Sequence, residues 1–188
     1  MTKRIGGMAT PEGTERYRAR FDQAAGKIHM YGTATWNAYR SPSETRGFLS
    51  LGDVVGCART VGGDGHHFRV IQLPYNLMMR EASALENQKV GPNALSALDA
   101  ASELGLAVIA SASMMKARLC QNLPDFISRK FNNLDSDPQR AVQFVRSTPG
   151  ITTALGGMSQ PAHVEENLSL VGVPPATPDA IRALFDAA

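Results

Sequence analysis

The segment "FVRSTPGITTALGGMSQPAHVEENL", residues 144–168, combines the features that decide the fold. A short apolar run at 151–155 precedes Gly156 and Gly157, and Pro161 then marks the start of a helix. Glycines between a strand and a helix let a ligand approach the backbone closely. The free N–H groups of a helix N-terminus suit a phosphate. We interpret the segment as a candidate phosphate site.

The polar side chains of this segment fit the same interpretation. Ser159 can cap the helix or donate to a phosphate oxygen. Glu166 and Asn167, one to two turns into the helix, offer an acceptor and an amide to a flat polar ring. The alternative is an ordinary strand-to-helix turn followed by a solvated acidic helix face. These residues alone give the two interpretations equal weight.

Three further β-like runs precede this segment, and the four runs start roughly 40 residues apart with helical patterns between them. Such alternation favours an α/β fold with parallel strands joined by right-handed crossovers. The predicted strands are 27–34, 68–73, 106–112 and 151–155. Apolar periodicity predicts helices at 17–24, 51–58, 95–101, 137–147, 164–171 and from Thr177 onward. Loops are predicted at 38–50, 62–67, 74–92 and 112–137.

The composition is that of an ordinary globular domain. The chain has 188 residues, of which 43% are hydrophobic and 19% are charged, and its net charge is +2. Lysines and arginines are scattered, so nucleic acid is a poor candidate partner. No apolar run predicts a membrane span and no secretory signal is present, which predicts a cytoplasmic protein. We expect residues 1–13 to be loose and 14–188 to form one domain.

Several catalytic and metal sites are disfavoured. His66 and His67 are adjacent, so their side chains point apart, and no third ligand has suitable spacing. Cys57 and Cys120 form no CxxC pair and are read as reduced structural thiols.

Gln72 ends a predicted strand, and its amide suits a carboxamide ligand. Taken alone, Gln72 is better explained as a buried side chain bonded to backbone.

Four segments together resemble the aldo/keto reductase family. They are "GKIHMYGTATWNAYR" (26–40), "FRVIQLPYNL" (68–77), "GLAVIASASMMKARL" (105–119) and "QFVRSTPGITTALGGMSQPAHVEENLSL" (143–170). The resemblance runs from about residue 17 to the C-terminus. It implies a partial TIM barrel, with parallel strands five to eight and outer helices. It also implies an NADP cofactor, with NAD as the alternative.

The resemblance assigns residues to the nicotinamide end of that cofactor. Thr35 falls near the family's asparagine for the nicotinamide carboxamide, and Asn37 is a substitute two residues on. Gln72 matches the family's glutamine for the same group. Ser111 replaces an aromatic ring that many members stack on the nicotinamide. Met114 lies in the loop that usually passes over the pyrophosphate.

The adenosine end follows by the same resemblance. Ser159 and Gln160 fall near the ribose 2′-phosphate. His163 stands where many members carry an arginine for that phosphate. Glu166 and Asn167 match the pair that reads adenine. Gly157 belongs to the turn beside the phosphates.

The family's catalytic Asp, Tyr, Lys and His come from strands two to four, so no residue of this sequence inherits those roles. We therefore expect an oxidoreductase of aldehydes and ketones that depends on a second protomer or a complementary half-barrel. The alternative is a catalytically silent half-barrel, a cofactor-binding or structural remnant of a shortened reading frame. Tyr75 and Lys116 are the first candidates for a substitute acid. Val70, Val108 and Ile109 are expected on an uncovered inner face.

Overall fold

The computed structural model describes residues 29–185, and these form a parallel four-stranded sheet with helices packed against it. The strands are β1 (Tyr31–Ala34), β2 (Phe68–Pro74), β5 (Ala107–Ser111) and β6 (Thr153–Ala154), in the order β1-β2-β5-β6. All three neighbouring pairs are parallel. The predicted α/β class is confirmed, and a strand falls on each of the four predicted runs. However, β6 covers only two residues, and β1 begins at Tyr31, with residues 27–28 of its predicted run outside the described part. The predicted helix at 17–24 and the segment 1–13 lie outside the described residues.

Seven helices occur in the described part of the chain. They are α1 (Leu51–Gly62), α2 (Glu81–Ala84), α3 (Ala97–Glu103), α4 (Asp125–Lys130), α5 (Asp137–Ser147), α6 (Pro161–Leu168) and α7 (Pro178–Arg182). The prediction for α5 is confirmed, and Ser136 and Gln139 form a capping box at its start. Thr177 caps α7 as predicted, accepting from the Ala180 N–H. No helix within residues 29–185 has the length and apolar character that a membrane crossing needs.

The segments predicted as loops at 74–92 and 112–137 contain regular structure. The first holds α2 and β3 (Gln88–Val90), which pairs antiparallel with β4 (Asn93–Leu95), and the second holds α4. Gly91 has a positive φ of 59°, which allows the tight turn of this hairpin. Leu95, which the apolar periodicity placed on a helix, ends β4 instead; Ser96 accepts from the Asp99 N–H as the N-cap, and α3 begins at Ala97.

The sheet has one buried face and one half-exposed face. Ile71, Leu73 and Val108 are fully buried against the helices. Val70 and Ile109 lie on the opposite face and are only partly buried. The expectation that Val108 lies on the inner face is therefore wrong, whereas Val70 and Ile109 do lie there. Within residues 29–185 the sheet does not close into a barrel, and the outer edges of β1 and β6 have no strand partner.

The first strand packs unusually close to its neighbour. A Cβ added to Gly32 would lie 1.9 Å from the carbonyl oxygen of Val70. The register between β1 and β2 also shifts between Tyr31 and Gly32. Only glycine fits at this position, so Gly32 sets how β1 docks on the sheet.

Gln88 connects the hairpin to the loop that precedes α1. Its side chain is 1% exposed. Its Oε1 accepts from the Leu51 N–H at 2.8 Å, and its Nε2 donates to the carbonyl oxygens of Tyr39 and Leu49, both at 3.2 Å. Removing this amide would take away the partner of the Leu51 N–H and of the Leu49 carbonyl, whereas the Tyr39 carbonyl would keep its bond from Asn87 Nδ2.

We expect Gln88→Ala to lower the free energy of unfolding by about 2–4 kcal/mol, because it combines lost hydrogen bonds with a cavity. Urea denaturation followed by circular dichroism measures the change. The matched control is Gln121→Ala at an exposed glutamine, which should stay within about 0.5 kcal/mol of the parent. Equal stability of the two variants would contradict the role given to Gln88.

Candidate functional site

A cleft of about 650 Å³ lies beyond the carboxyl ends of β5 and β6. This is the edge of a parallel sheet where ligands generally bind. The loop after β5, the turn after β6 and the first two turns of α6 form its walls. The residues that line it are Ser111, Ala112, Ser113, Met114, Met115, Lys116, Ala117, Cys120, Pro138, Leu155, Gly156, Gly157, Met158, Ser159, His163, Glu166 and Asn167.

The structure brings six of the predicted site residues together in this cleft. They are Met114, Gly157, Ser159, His163, Glu166 and Asn167. The other four do not line it. Gln160 is exposed at the start of α6, and Thr35, Asn37 and Gln72 lie on or just after β1 and β2. The predicted site is therefore one cleft plus a separate group of side chains on the neighbouring strands.

The turn after β6 is open on the cleft side. Among residues 29–185, no atom other than those of Gly157 and its chain neighbours lies within 4 Å of a Cβ added to Gly157. A Cβ added to Gly156 would lie 3.5 Å from Met114 Cε and 3.8 Å from Asn167 Nδ2. Packing inside the protein therefore does not require glycine at 157, and a ligand can approach the backbone there.

Ser159 does not cap α6, contrary to one of the two roles considered for it. Gln160 occupies the N-cap position without a side-chain cap bond, and Pro161 is the first helical residue. Ser159 is exposed and lines the cleft, so its hydroxyl is available to a ligand. The first turn of α6 contains no acidic residue, so its dipole can favour an anion. Pro161 has no N–H, and the N–H groups of His163 and Val164 donate to the Gln160 carbonyl at 3.0 and 3.3 Å.

Glu166 and Asn167 have different surroundings within the cleft. Glu166 Oε1 accepts from the hydroxyl of Ser136 at 2.5 Å, which fixes the carboxylate at the N-terminus of α5. Asn167 Oδ1 is buried and has no hydrogen-bond partner among the described residues. An unpaired buried acceptor is costly, so Asn167 is suited to accept from a ligand that enters the cleft.

The loop after β5 has a strained backbone where it lines the cleft. Ala112, Met115, Lys116 and Ala117 have φ between 48° and 65°, a region that residues with a side chain rarely adopt. Such conformations cluster at binding sites, where the surrounding structure maintains them. The sequence "ASMMKA" contains no glycine that could have signalled this feature.

The residues predicted for a carboxamide lie near one another on β1 and β2. The Thr35 N–H donates to the Gln72 carbonyl at 2.9 Å, and Thr35 Oγ1 is buried without a partner among the described residues. Gln72 pairs with Ala34 on one side and Ile109 on the other, and is partly buried. Asn37 is exposed, and its Oδ1 accepts from Arg40 Nη2 at 3.0 Å. Of the two side chains that follow β1, Asn37 therefore already accepts a hydrogen bond, whereas Thr35 Oγ1 is available to a ligand.

Tyr75, named as a candidate acid, faces the helices and does not line the cleft. Its ring stacks on Phe144 with centroids 5.7 Å apart, and its hydroxyl bonds to Ser83 Oγ at 2.9 Å. Burial raises the pKa of Tyr75. The suggestion of Tyr75 is wrong for this cleft because the side chain packs into the core. Lys116, the other candidate, is exposed and lines the cleft.

The two adjacent histidines have separate structural partners. Arg69 Nη1 lies 3.0 Å from His66 Nδ1, and His67 Nδ1 lies 2.9 Å from the His29 carbonyl. Burial, with Arg69 next, lowers the pKa of His66. Within the described part of the chain, no group of three His, Cys, Asp or Glu side chains is placed to hold a metal ion.

Comparison with known proteins gives no match at the level of sequence. No protein-family model matches the chain, and no curated protein matches it. Solved structures do match. A putative 2,5-diketo-D-gluconic acid reductase B superposes with a TM-score of 0.61 at 12% identity, covering 93% of this chain and 52% of that chain. An aldo-keto reductase from Klebsiella pneumoniae, in complex with NADP and acetate, gives 0.55 at 19% identity, covering 92% and 51%.

The fold is that of part of an aldo-keto reductase barrel. The holo form of an aldo-keto reductase from Bacillus halodurans agrees, with a TM-score of 0.53 at 16% identity over 94% of this chain and 55% of that chain. The resemblance expected from the sequence is thus confirmed at the level of the fold. This chain spans about half the length of these aldo-keto reductases.

Cys120 lines the cleft although no motif around it marks it as a site residue, and nearby charges affect the pKa of its thiol. Burial, then Glu166 and Asp137, raise the pKa of Cys120. Less thiolate is therefore present at a given pH than for an ordinary cysteine.

We expect Glu166→Gln to speed iodoacetamide alkylation of Cys120 at pH 8 by roughly twofold to tenfold, because losing one negative charge lowers the pKa of the thiol. Mass spectrometry of timed samples measures the rate. Cys57 lies on α1 and does not line the cleft, so it serves as the internal control. A slower or unchanged rate at Cys120 would show that Glu166 does not act on this thiol.

Proposed function

We propose that this chain is a nicotinamide dinucleotide-binding part of an aldo-keto reductase, with NADP as the cofactor and NAD as the alternative. The observation that carries the proposal is the cleft itself, which brings six of the ten predicted site residues together at the carboxyl edge of the sheet. Two of the similar structures, both from Klebsiella pneumoniae, hold NADP or NADPH. The cleft volume also lies within the usual range of small-molecule sites.

The residues of the cleft fit the parts of a dinucleotide. Gly157 and Ser159 would hold phosphate oxygens through N–H and hydroxyl groups, and the dipole of α6 would favour their negative charge. Asn167 Oδ1 would accept from the amino group of adenine and so gain the partner that it lacks. Glu166 would accept from the same ring while Ser136 fixes its carboxylate.

The phosphate on the ribose is the feature that separates NADP from NAD. His163 and Lys116 are the cationic or potentially cationic side chains that line the cleft. Ser159 and Gln160 lie on the same side, at the start of α6. Their polar groups support NADP as the first choice, although a histidine offers less permanent charge than an arginine.

The nicotinamide end is assigned to the strands beside the cleft. Gln72 and Thr35 would hold the carboxamide, and the buried Thr35 Oγ1 without a partner supports this placement. Ser111 lies between these strands and the cleft. It ends β5, where it pairs with Pro74 of β2, and it also lines the cleft. When bound, such a cofactor supplies a hydride to a carbonyl carbon.

Reduction of a carbonyl also needs a proton donor. This requirement favours either a chain whose activity depends on a second half-barrel or a chain that is catalytically silent. Tyr75 is buried in the core, which leaves Lys116 as the candidate that lines the cleft. The half-exposed inner face, with Val70 and Ile109, supports a further layer of protein over the sheet. We propose that a complementary half-barrel or a second copy of the chain supplies that layer and the donor.

We expect Asn167→Ala to raise the dissociation constant for NADPH by roughly three- to tenfold, because one hydrogen bond to adenine is lost. Isothermal titration measures the constant. Glu165→Ala is the matched control, because Glu165 is an exposed neighbour that does not line the cleft. NADPH should also slow alkylation of Cys120 and leave Cys57 unchanged. Equal dissociation constants for the two variants would contradict the assignment of Asn167 to the adenine ring.

We expect the chain on its own to reduce carbonyl compounds at least ~10²-fold more slowly than an ordinary enzyme turning over about 10 times per second. The reason is that the resemblance places the family's catalytic residues on strands two to four, which residues 29–185 do not match. NADPH oxidation with a panel of aldehydes and ketones measures this, and sedimentation of the same sample reports whether it is a monomer or a dimer. Ordinary turnover by a monomer would contradict the dependence on a second half, and Lys116→Met would then test Lys116 as the donor.

A further inference from the structure

A fully buried asparagine lies behind the cleft, outside its lining. Asn76 follows β2, and its side-chain Nδ2 donates to the Ala112 carbonyl at 2.9 Å. Its Oδ1 accepts from the Met78 N–H at 2.9 Å. The two bonds need a donor and an acceptor, so they fix which way the amide points. Backbone bonds between Asn76 and Met79, at 3.0 and 3.2 Å, close the turn that carries this side chain.

The carbonyl that Asn76 holds belongs to the first residue of the strained loop. Ala112 has φ of 57°, and its oxygen also accepts from the Met115 N–H at 2.8 Å. That second bond closes a turn whose next residues, Met115 to Ala117, also have positive φ. All of them line the cleft. A strained backbone of this kind persists only where its surroundings determine it, and Asn76 supplies one such constraint.

We propose that Asn76 is a positioning residue for dinucleotide binding. Its amide holds the Ala112 carbonyl in the orientation that closes the turn to Met115, and so keeps the loop over the cleft in its binding form. Asn76 acts through the loop, because it does not line the cleft itself. The inference rests on the proposed function, since the loop is taken to contact the dinucleotide.

A second asparagine provides a matched comparison. Asn87 Nδ2 donates to the carbonyl oxygens of Tyr39 and Ser41, at 2.9 and 2.6 Å. Like Asn76, it therefore joins two segments distant in sequence through a side-chain amide. The residues that it holds, Tyr39 and Ser41, do not line the cleft and are not among the predicted site residues. A general loss of stability should therefore affect both positions, whereas a change in the cleft should follow Asn76 alone.

The experiment compares Asn76→Asp with Asn87→Asp in the full chain. Aspartate keeps the size of asparagine and an acceptor for the Met78 N–H, but it loses the N–H that holds Ala112. We expect N76D to raise the dissociation constant for NADPH at least tenfold, and N87D to change it less than twofold. Both variants should lower the melting temperature. Equal constants in the two variants, or no change in N76D, would overturn the inference.

A second substitution tests the route through Ala112. Glycine adopts a positive φ without the penalty that alanine has, so Ala112→Gly should restore part of the affinity lost in N76D. The parent chain carrying A112G alone provides the reference for this gain. Failure of A112G to restore any affinity in N76D would show that Asn76 does not act by holding this residue.

Hydrogen exchange at the Met115 amide gives a readout that needs no ligand. We expect its exchange to be at least tenfold faster in N76D than in N87D, because the turn to Ala112 loosens. If the parent chain binds neither NADPH nor NADH, the proposed function fails, and this exchange rate still decides whether Asn76 orders the loop. If N76D does not fold, Asn76→Ser replaces it with the same expected outcomes. Unchanged exchange at Met115 would overturn the inference.

Discussion

The parallel pairing of β2 with β5 is the constraint on which the rest of the molecule depends. Five residue pairs run in register from Val70 and Ala107 to Pro74 and Ser111. Because the strands are parallel, the segments that leave their carboxyl ends emerge on the same edge of the sheet. Asn76 and the loop after Ser111 therefore meet, and the cleft forms beside them. Pleating of the same strands sends Ile71 and Val108 into the helix layer, which supplies the core.

Helix α5 ties the helix layer to the cleft through polar side chains. Gln139 accepts from the Ser136 N–H with one atom of its amide and donates to Ser169 Oγ, at 2.8 Å, with the other. Ser136 in turn donates to Glu166. Farther along the helix, Gln143 donates to the Pro174 carbonyl at 2.8 Å. The end of α5 that begins with a capping box therefore also fixes how α6 presents its side chains to the cleft.

Much of the fold could be predicted because its strands are short apolar runs at even spacing and its helices carry clear caps, as at Ser136 and Thr177. The hairpin was missed because three-residue strands such as Gln88–Val90 are too short to show an alternating pattern. The face of β5 was misread for Val108 because "LAVIASA" has almost no polar residue to mark the exposed side. Buried and exposed positions on that strand differ only in what packs over them.

The candidate site was predictable where a motif marks it and hidden where tertiary contacts create it. Glycines and a proline mark the turn from β6 to α6, and six residues selected from that turn, its helix and the loop after β5 do line one cleft. The Ser-x-Pro pattern allows capping by Ser159 or by Gln160, and the structure uses Gln160. No sequence motif marks Asn76 or Cys120 as a site residue, because each acquires its role only through contact with residues that are distant in sequence.

The lining of the cleft comes from one continuous stretch of chain, from Ser111 to Asn167. Neither β1 nor β2 contributes to it, and Asn76, which follows β2, bonds to the loop after β5 from behind the cleft. Recombination that replaced everything before β2 could therefore keep both this lining and Asn76 while it changed the chemistry performed next to the cleft. Inheritance of the cleft as a unit would allow a binding property to pass between proteins that share little other sequence.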